Sequence, residues 1–168
     1  MSAETTGMPA VQTPAIPRKR AVYVPHFRVS LVRDGSTRTD GRHARTPAEA
    51  AQILRACMPE DTDREVFAVL LLDARYKVIA FHVVSVGCLT SSLVHPRELY
   101  KVALLGNAVA VVACHNHPSG DATPSAEDIA LTRRLVSAGT LMGVDLLDHV
   151  ILGDGTGQWV SLKEGGLL

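Results

Sequence analysis

Residues 108–128 read AVAVVACHNHPSGDATPSAED and contain the change of pattern that decides the fold. Residues 108–114 are small or β-branched and almost entirely apolar, which predicts a buried strand. Residues 118–120 (Pro-Ser-Gly) end that strand, and Ser125 begins a segment with helical spacing of its apolar residues. A buried strand that leads through a short loop into a helix is typical of an α/β domain.

The flanking sequence predicts further strands and helices in alternation. Thr46 and Pro47 are an N-cap and first-turn pair at the start of a helix that Pro59 ends. The predicted strands are residues 27–32, 65–72, 77–86, 108–114, 144–152 and 159–162, and the further predicted helices are residues 96–105 and 125–139. We therefore predict an α/β fold in which helices flank both sides of a mixed β-sheet.

Composition excludes several classes of protein. The 168 residues are 46% hydrophobic and 20% charged, which is the globular range, so a collagenous or wholly disordered chain is excluded. Three cysteines with no CxxC spacing exclude a disulfide framework and a zinc ribbon. No apolar run reaches the length of a membrane span, and the first residues lack the pattern of a signal peptide. We therefore expect a soluble cytoplasmic protein that does not contact a membrane.

The net charge of zero conceals an uneven distribution of charge. Residues 1–17 are rich in Ala, Thr and Pro and are predicted to form a disordered tail. Residues 18–45, which we call the basic segment, have eight basic and two acidic residues (+6), whereas residues 46–168 have nine basic and fourteen acidic residues (−5). The basic residues of the segment are Arg18, Lys19, Arg20, Arg28, Arg33, Arg38, Arg42 and Arg45. This charge predicts contact with phosphates, such as those of DNA, or equally with the acidic domain of the same chain.

Two histidines and a carboxylate surround the loop at residues 118–124. His115 and His117 are two residues apart at the end of the predicted strand, so both imidazoles face the same side. Ser125 and Asp128 begin the following helix, where the carboxylate faces back toward the loop. Two histidines and one carboxylate suit a tetrahedral zinc ion whose fourth position is open to water, as in catalytic sites. The same Ser-x-x-Asp pattern is also a helix-capping box, which needs no metal.

The spacing of these residues resembles a known signature. His115-x-His117, followed by ten residues and Asp128, resembles the JAMM (MPN+) metalloprotease motif, and the string HNHPSG…PS…D is similar to the RadC subfamily. The resemblance covers residues 46–168. It implies a JAB/MPN fold similar to that of cytidine deaminases, with zinc as the cofactor and His115, His117 and Asp128 as its ligands.

The resemblance also implies two catalytic residues. In JAMM enzymes a glutamate on an earlier strand takes a proton from the metal-activated water, and the matching residue here is Glu65. The serine of the motif matches Ser125, which would donate a hydrogen bond to the developing oxyanion. From the residues alone, an exposed strand-end carboxylate beside Arg64 is the preferred interpretation of Glu65, and a simple helix cap is the alternative for Ser125. The resemblance thus predicts a zinc-dependent hydrolase of peptide or isopeptide bonds.

Other interpretations stay open at this point. A DNA-repair or mobile-element protein would bind nucleic acid through the basic segment, and a metal-bound scaffold would have no turnover. Asp148 and His149 either support a ligand histidine together or have a structural role, and their place in a buried strand favours the structural role. Cys114 adjoins His115 but faces the opposite side of the strand, so we predict a buried small residue.

Overall fold

A five-stranded mixed β-sheet forms the centre of the fold. The computed structural model describes residues 22–59, 63–87 and 94–168. The elements within them are α1 (Pro47–Cys57), β1 (Val66–Leu72), β2 (Val78–Val86), α2 (Pro96–Leu105), β3 (Ala110–His117), α3 (Ala126–Met142), β4 (Asp145–Gly153) and β5 (Trp159–Ser161). The strand order is β2-β1-β3-β4-β5, in which β3 and β4 are parallel and the other neighbours antiparallel. The predicted α/β architecture is therefore confirmed.

Helices cover both faces of the sheet because the central strands alternate apolar side chains between the two faces. On one face, Ala68 and Leu70 of β1 belong to the core that includes α1. On the other face, Phe67 and Val69 belong to the core that includes α2 and α3. Every residue of β1 is buried, as expected for a central strand covered on both sides.

The helix α3 is longer than predicted. The predicted end at Gly139 is wrong, because the helix continues to Met142 and ends at Gly143, whose φ of 69° lies in the left-handed region that glycine adopts readily. Gly139 instead allows close packing, since a Cβ there would collide with the hydroxyl of buried Tyr100. Neither α3 nor another helix in the described ranges is long and apolar enough to cross a membrane.

The predicted strand at residues 27–32 is wrong. Residues 22–39 have no regular secondary structure, and Phe27 and Val32 are 86% and 88% exposed. Alternation of apolar and polar residues produces a strand only where a neighbour accepts its hydrogen bonds. Among the described residues, the first such pairing is the isolated bridge between His43 and Lys77. The predicted tail and residues 18–21 lie outside the described residues.

Candidate metal centre

The two histidines of the motif lie side by side at the end of β3. The strand continues to His117, three residues beyond its predicted end, so both histidines are strand residues. Their imidazoles face the same side, as predicted, and their Nε2 atoms are 3.0 Å apart. Cys114 belongs to the core on the opposite face, which confirms its prediction as a buried residue. Burial raises the pKa of its thiol, so Cys114 is not a reactive thiolate.

The first turn of α3 brings Asp128 to these histidines. Ser125 caps the helix, accepting from the Asp128 N–H at 3.1 Å, and its own N–H donates to Asp128 Oδ2 at 2.8 Å. The carboxylate held in this way lies 3.1 Å from His115 Nε2 and 3.7 Å from His117 Nε2. The capping box and the metal-ligand arrangement, which the sequence leaves as alternatives, therefore occur together in one carboxylate.

The Asp128 carboxylate is ionised. Burial raises its pKa, but the hydrogen bond and charge interaction with His115, together with hydrogen bonds from Ser125, outweigh burial and hold the pKa well below its usual value. The ligand atoms of His115, His117 and Asp128 all lie within 4.8 Å of one another. Within the described residues they are the one group of His, Cys, Asp or Glu side chains with such spacing.

The hydrogen bonds behind the histidines decide which ring nitrogens have free lone pairs. His117 Nδ1 lies 2.6 Å from the carbonyl oxygen of Asp121. A carbonyl oxygen only accepts, so Nδ1 carries a proton, and the tautomer with that proton has its lone pair on Nε2. That lone pair faces a carboxylate and a second Nε2. Acceptors that face one another in this way are satisfied by a cation, and nitrogen, nitrogen and oxygen donors with an open side suit zinc.

Glu65 immediately precedes β1 and is half-buried rather than exposed. In the antiparallel register of β1 and β3, Phe67 is opposite His115. Continuing that register by two residues puts Glu65 opposite His117 and on the same face of the sheet. This continuation of the register predicts that Glu65 lies on the side of the sheet that carries the ligand group, and its catalytic role stays a prediction.

Asn116 holds the chain on both sides of Glu65. Its Oδ1 accepts from the Val66 N–H at 2.7 Å, and its Nδ2 donates to the Arg64 carbonyl oxygen at 3.2 Å and to Asp154 Oδ2 at 2.6 Å. Because Asn116 lies between the two histidines, it faces the opposite side of β3. The residue between the ligands thus fixes the backbone that presents Glu65, a contact that the sequence analysis missed.

The proton of the Ser125 hydroxyl is already engaged. Ser125 Oγ lies 2.6 Å from Asp128 Oδ2 and donates its single proton to that oxygen. An oxyanion would therefore compete with Asp128 for this donor. The structure brings Ser125 to the site, while its predicted catalytic role stays a prediction.

Asp148 and His149 do not act as a pair. Asp148 accepts from Ser161 Oγ at 2.7 Å, from the Lys163 N–H at 3.1 Å and from the His149 N–H at 2.7 Å. Burial raises the pKa of this carboxyl, although these hydrogen bonds oppose the rise. The structural interpretation therefore agrees with the closed set of contacts around Asp148.

His149 has a different role from its neighbour. Its ring lies on the opposite side of β4, where Nε2 is 2.8 Å from His115 Nδ1 and Nδ1 is 2.6 Å from Thr132 Oγ1. Burial and the charge of His115 lower the pKa of His149 well below its usual value, so the ring is neutral. The contact of His149 with His115 was not predicted from the sequence, because a one-dimensional pattern does not show which strand lies beside β3.

Comparison with known proteins agrees with this geometry. The family model of the RadC-like JAB domain matches residues 44–167. A UPF0758 protein of Desulforamulus reducens is 48% identical over 138 residues, which are 76% of this chain and 59% of that protein. A UPF0758 protein of Methanosarcina acetivorans is 50% identical over 105 residues, or 62% and 45% of the two chains. The chain spans about half the length of the curated relatives it matches. These matches show that the chain belongs to the RadC-like JAB domain family.

Proposed function

We propose that this chain is a zinc-dependent hydrolase of peptide or isopeptide bonds. The observation that supports the proposal most directly is the group of His115, His117 and Asp128, with ligand atoms within 4.8 Å of one another. The side chains of His117 and Asp128 are 15% and 16% exposed, so the group is accessible from one side. Three protein ligands leave a position for a reacting molecule. Zinc bound there would lower the pKa of a water molecule and polarise a substrate carbonyl.

Glu65 is the proton acceptor in this proposal. Amide hydrolysis requires that a water molecule lose a proton and that the leaving nitrogen gain one. A carboxylate that lies beside the ligands without being one of them can perform both transfers in turn. Support comes from the register of β1 and β3, whose continuation puts Glu65 opposite His117, and from the two hydrogen bonds by which Asn116 holds the neighbours of Glu65.

Ser125 has a secondary role in this proposal. Its hydroxyl stabilises the oxyanion after rotating away from Asp128 Oδ2, to which it donates at 2.6 Å. A variant that lacks the hydroxyl therefore loses both the helix cap and the oxyanion contact.

An open cleft beside the metal centre suits an extended peptide segment. Its volume is about 360 Å³, and its lining includes Asp121, Thr123, Gln158 and Trp159. Asp121 belongs to both sites, because its carbonyl oxygen accepts the hydrogen bond from His117. Exposed polar groups together with one aromatic side chain favour a peptide over a lipid substrate.

The test is hydrolysis of a set of amide and isopeptide substrates by zinc-loaded protein. Chelation should abolish turnover, and Glu65→Gln should lower turnover by about 10²–10⁴-fold, the usual contribution of general acid–base catalysis. Zinc content should stay at the parent value, because Gln leaves the three ligands intact. Full turnover by Glu65→Gln on a substrate that the parent cleaves contradicts the role of Glu65. Loss of its zinc would instead make Glu65 a ligand.

A second proposal concerns the basic segment, and it is supported by exposed arginines. Arg28, Arg33 and Arg38 are exposed, and within the described ranges no ion pair joins them to an acidic side chain. We propose that this segment contacts nucleic acid phosphates. Replacing the three arginines by Gln should weaken DNA binding and lower the salt dependence of the affinity, by about 0.9 in log–log slope for each lost phosphate contact.

The matched control for this proposal is Arg133→Gln with Arg134→Gln, which removes exposed arginines of α3. The control should leave DNA binding unchanged. An affinity of the parent chain that does not differ between low and high salt contradicts phosphate contact.

A further inference from the structure

A chain of hydrogen-bonded groups runs from the backbone of α3 to the far side of the His115 ring. Thr132 Oγ1 lies 2.6 Å from the Asp128 carbonyl oxygen and 2.6 Å from His149 Nδ1. His149 Nε2 then lies 2.8 Å from His115 Nδ1. Thr132 and His149 are 0% exposed and His115 is 4% exposed, so water does not replace any member of this chain.

The chemistry of the four groups sets the direction of every proton along the chain. The Asp128 carbonyl oxygen only accepts, so the single hydroxyl proton of Thr132 is donated to it. The Thr132 oxygen is then an acceptor for His149 Nδ1–H. A neutral imidazole has one N–H, so His149 Nε2 accepts from His115 Nδ1–H. In the neutral form of His115, which is the form that a metal ion binds, Nε2 then has a free lone pair that points at Asp128 and His117.

The opposite direction is unfavourable for a specific reason. If Thr132 donated to His149, its oxygen would face the Asp128 carbonyl oxygen at 2.6 Å with no proton between them. Two oxygen atoms at that distance with no proton between them repel each other, and a buried acceptor that loses its donor costs about 1–3 kcal/mol. The backbone of α3 therefore selects one direction for the whole chain.

We propose that Thr132 and His149 are positioning residues that hold His115 in the tautomer whose Nε2 lone pair faces a bound metal. The inference rests on the metal site of the proposed function and extends it to residues outside the ligand group. Phe67 supports the same ring orientation, since its ring stacks on His115 at an interplanar angle of 9° and a centroid distance of 6.0 Å. The carboxylate of Asp128 is thus a ligand while its carbonyl oxygen anchors the support of another ligand.

The experiment is measurement of the zinc dissociation constant by chelator competition with the full chain. Thr132→Val removes the hydroxyl at nearly constant shape, and zinc affinity should fall by up to about 10–100-fold, the loss that is usual when a direct partner of a ligand histidine is removed. Thr132→Ser keeps the hydroxyl and should retain the parent affinity. The matched control is Thr140→Val, which removes an equivalent bond to a carbonyl oxygen of α3 (Thr140 Oγ1 to Val136 O, 3.0 Å) far from the histidines.

A second readout separates positioning from simple stabilisation. Long-range proton–nitrogen spectra of the zinc-loaded parent should show His149 protonated on Nδ1 and not on Nε2, and Thr132→Val should shift that signal because its acceptor is gone. Equal zinc affinity in Thr132→Val and the parent overturns the inference alone. Zinc binding without hydrolysis overturns only the proposed function. A parent chain that binds no zinc overturns the metal site and this inference with it.

Discussion

Two polar clusters meet at neighbouring residues of β4, and they differ in how their hydrogen-bonding groups are matched. Around Asp148, a hydroxyl and two backbone N–H groups all donate to one carboxylate. On the other side of the strand, His149 contacts His115, which belongs to the metal-ligand group. In that group, lone pairs of His117 and Asp128 face each other. A cluster whose donors and acceptors are matched is complete as structure. A cluster with surplus acceptors is stable only when a cation or proton joins it, and that difference is the basis for the metal site that we propose.

We call the group of His115, His117 and Asp128 the surplus cluster and the contacts around Asp148 the complete cluster. The largest effect should come from removing the negative charge of Asp128 from the surplus cluster. Asp128→Asn keeps an oxygen for the helix cap but loses the anionic ligand, so zinc should fall from about one per chain to near zero. Elemental analysis of protein purified without added metal measures this. The matched control is Asp148→Asn in the complete cluster, which should keep its zinc. Equal zinc in Asp128→Asn and the parent would remove the distinction between the two clusters.

Metal removal should change stability through the surplus cluster alone. A ligand that binds only the folded state raises the free energy of unfolding by about 4 kcal/mol at a free concentration of 1,000 times its dissociation constant. Thermal unfolding with zinc and with chelator should differ accordingly. The same zinc-dependent gain is expected in Ser161→Ala, where only the complete cluster is altered. A parent chain whose melting temperature is the same with zinc and with chelator would contradict the prediction.

Asp148→Asn should destabilise the metal-free protein. The amide would turn an N–H toward groups that themselves donate, so at least one of the donors from Ser161, Lys163 and His149 loses its acceptor. The expected loss is about 1–3 kcal/mol in the free energy of unfolding, measured by urea titration. A loss within error of zero would show that the cluster is not the matched network described above.

The smallest effect is a dependence of stability on pH. Burial and the charge of His115 depress the pKa of His149 well below 6.5. Below about pH 6.5 the unfolded state therefore binds a proton at His149, whereas the folded state does not. The free energy of unfolding falls as the pH drops below that value, by at most about 1.4 kcal/mol per pH unit. Above that pH both states are neutral and His149 makes no contribution.

His149→Gln should flatten the pH dependence of the metal-free protein in that range. Urea titrations at several pH values from 5 to 7 measure the slope, and His82→Gln is the matched control. The pKa of His82 is also lowered, by burial and by Lys101, but His82 is exposed on the edge strand β2. An unchanged slope in His149→Gln would assign the effect to another group.

Local patterns predicted most of the fold and the ligand group itself. The two-residue period of β3 places His115 and His117 on one side, and the Ser125 cap places Asp128 at the start of α3. Each of these inferences depends on residues close together in the chain. The basic segment shows the limit, because residues 27–32 have the period of a strand but no partner strand among the described residues.

Local sequence patterns could not predict which residues support the site through hydrogen bonds. His149 is 34 residues from His115 and 17 from Thr132, and Asn116 is 50 residues from Val66. No period or cap joins residues so far apart. The same limit explains Gly139, which the sequence pattern takes as a helix end but which packing against Tyr100 keeps within α3.

The sequence by itself determined the order of elements, the alternation of faces along β3 and the residue types of the metal group. These follow from side-chain period and capping, which act over a few residues. Only the tertiary structure decided which nitrogen of each histidine is free. The proton on a neutral imidazole goes to the nitrogen whose partner accepts it. Those partners come from β4, α3 and the loop at Asp121, which meet at the histidines only when the sheet and its helices have packed.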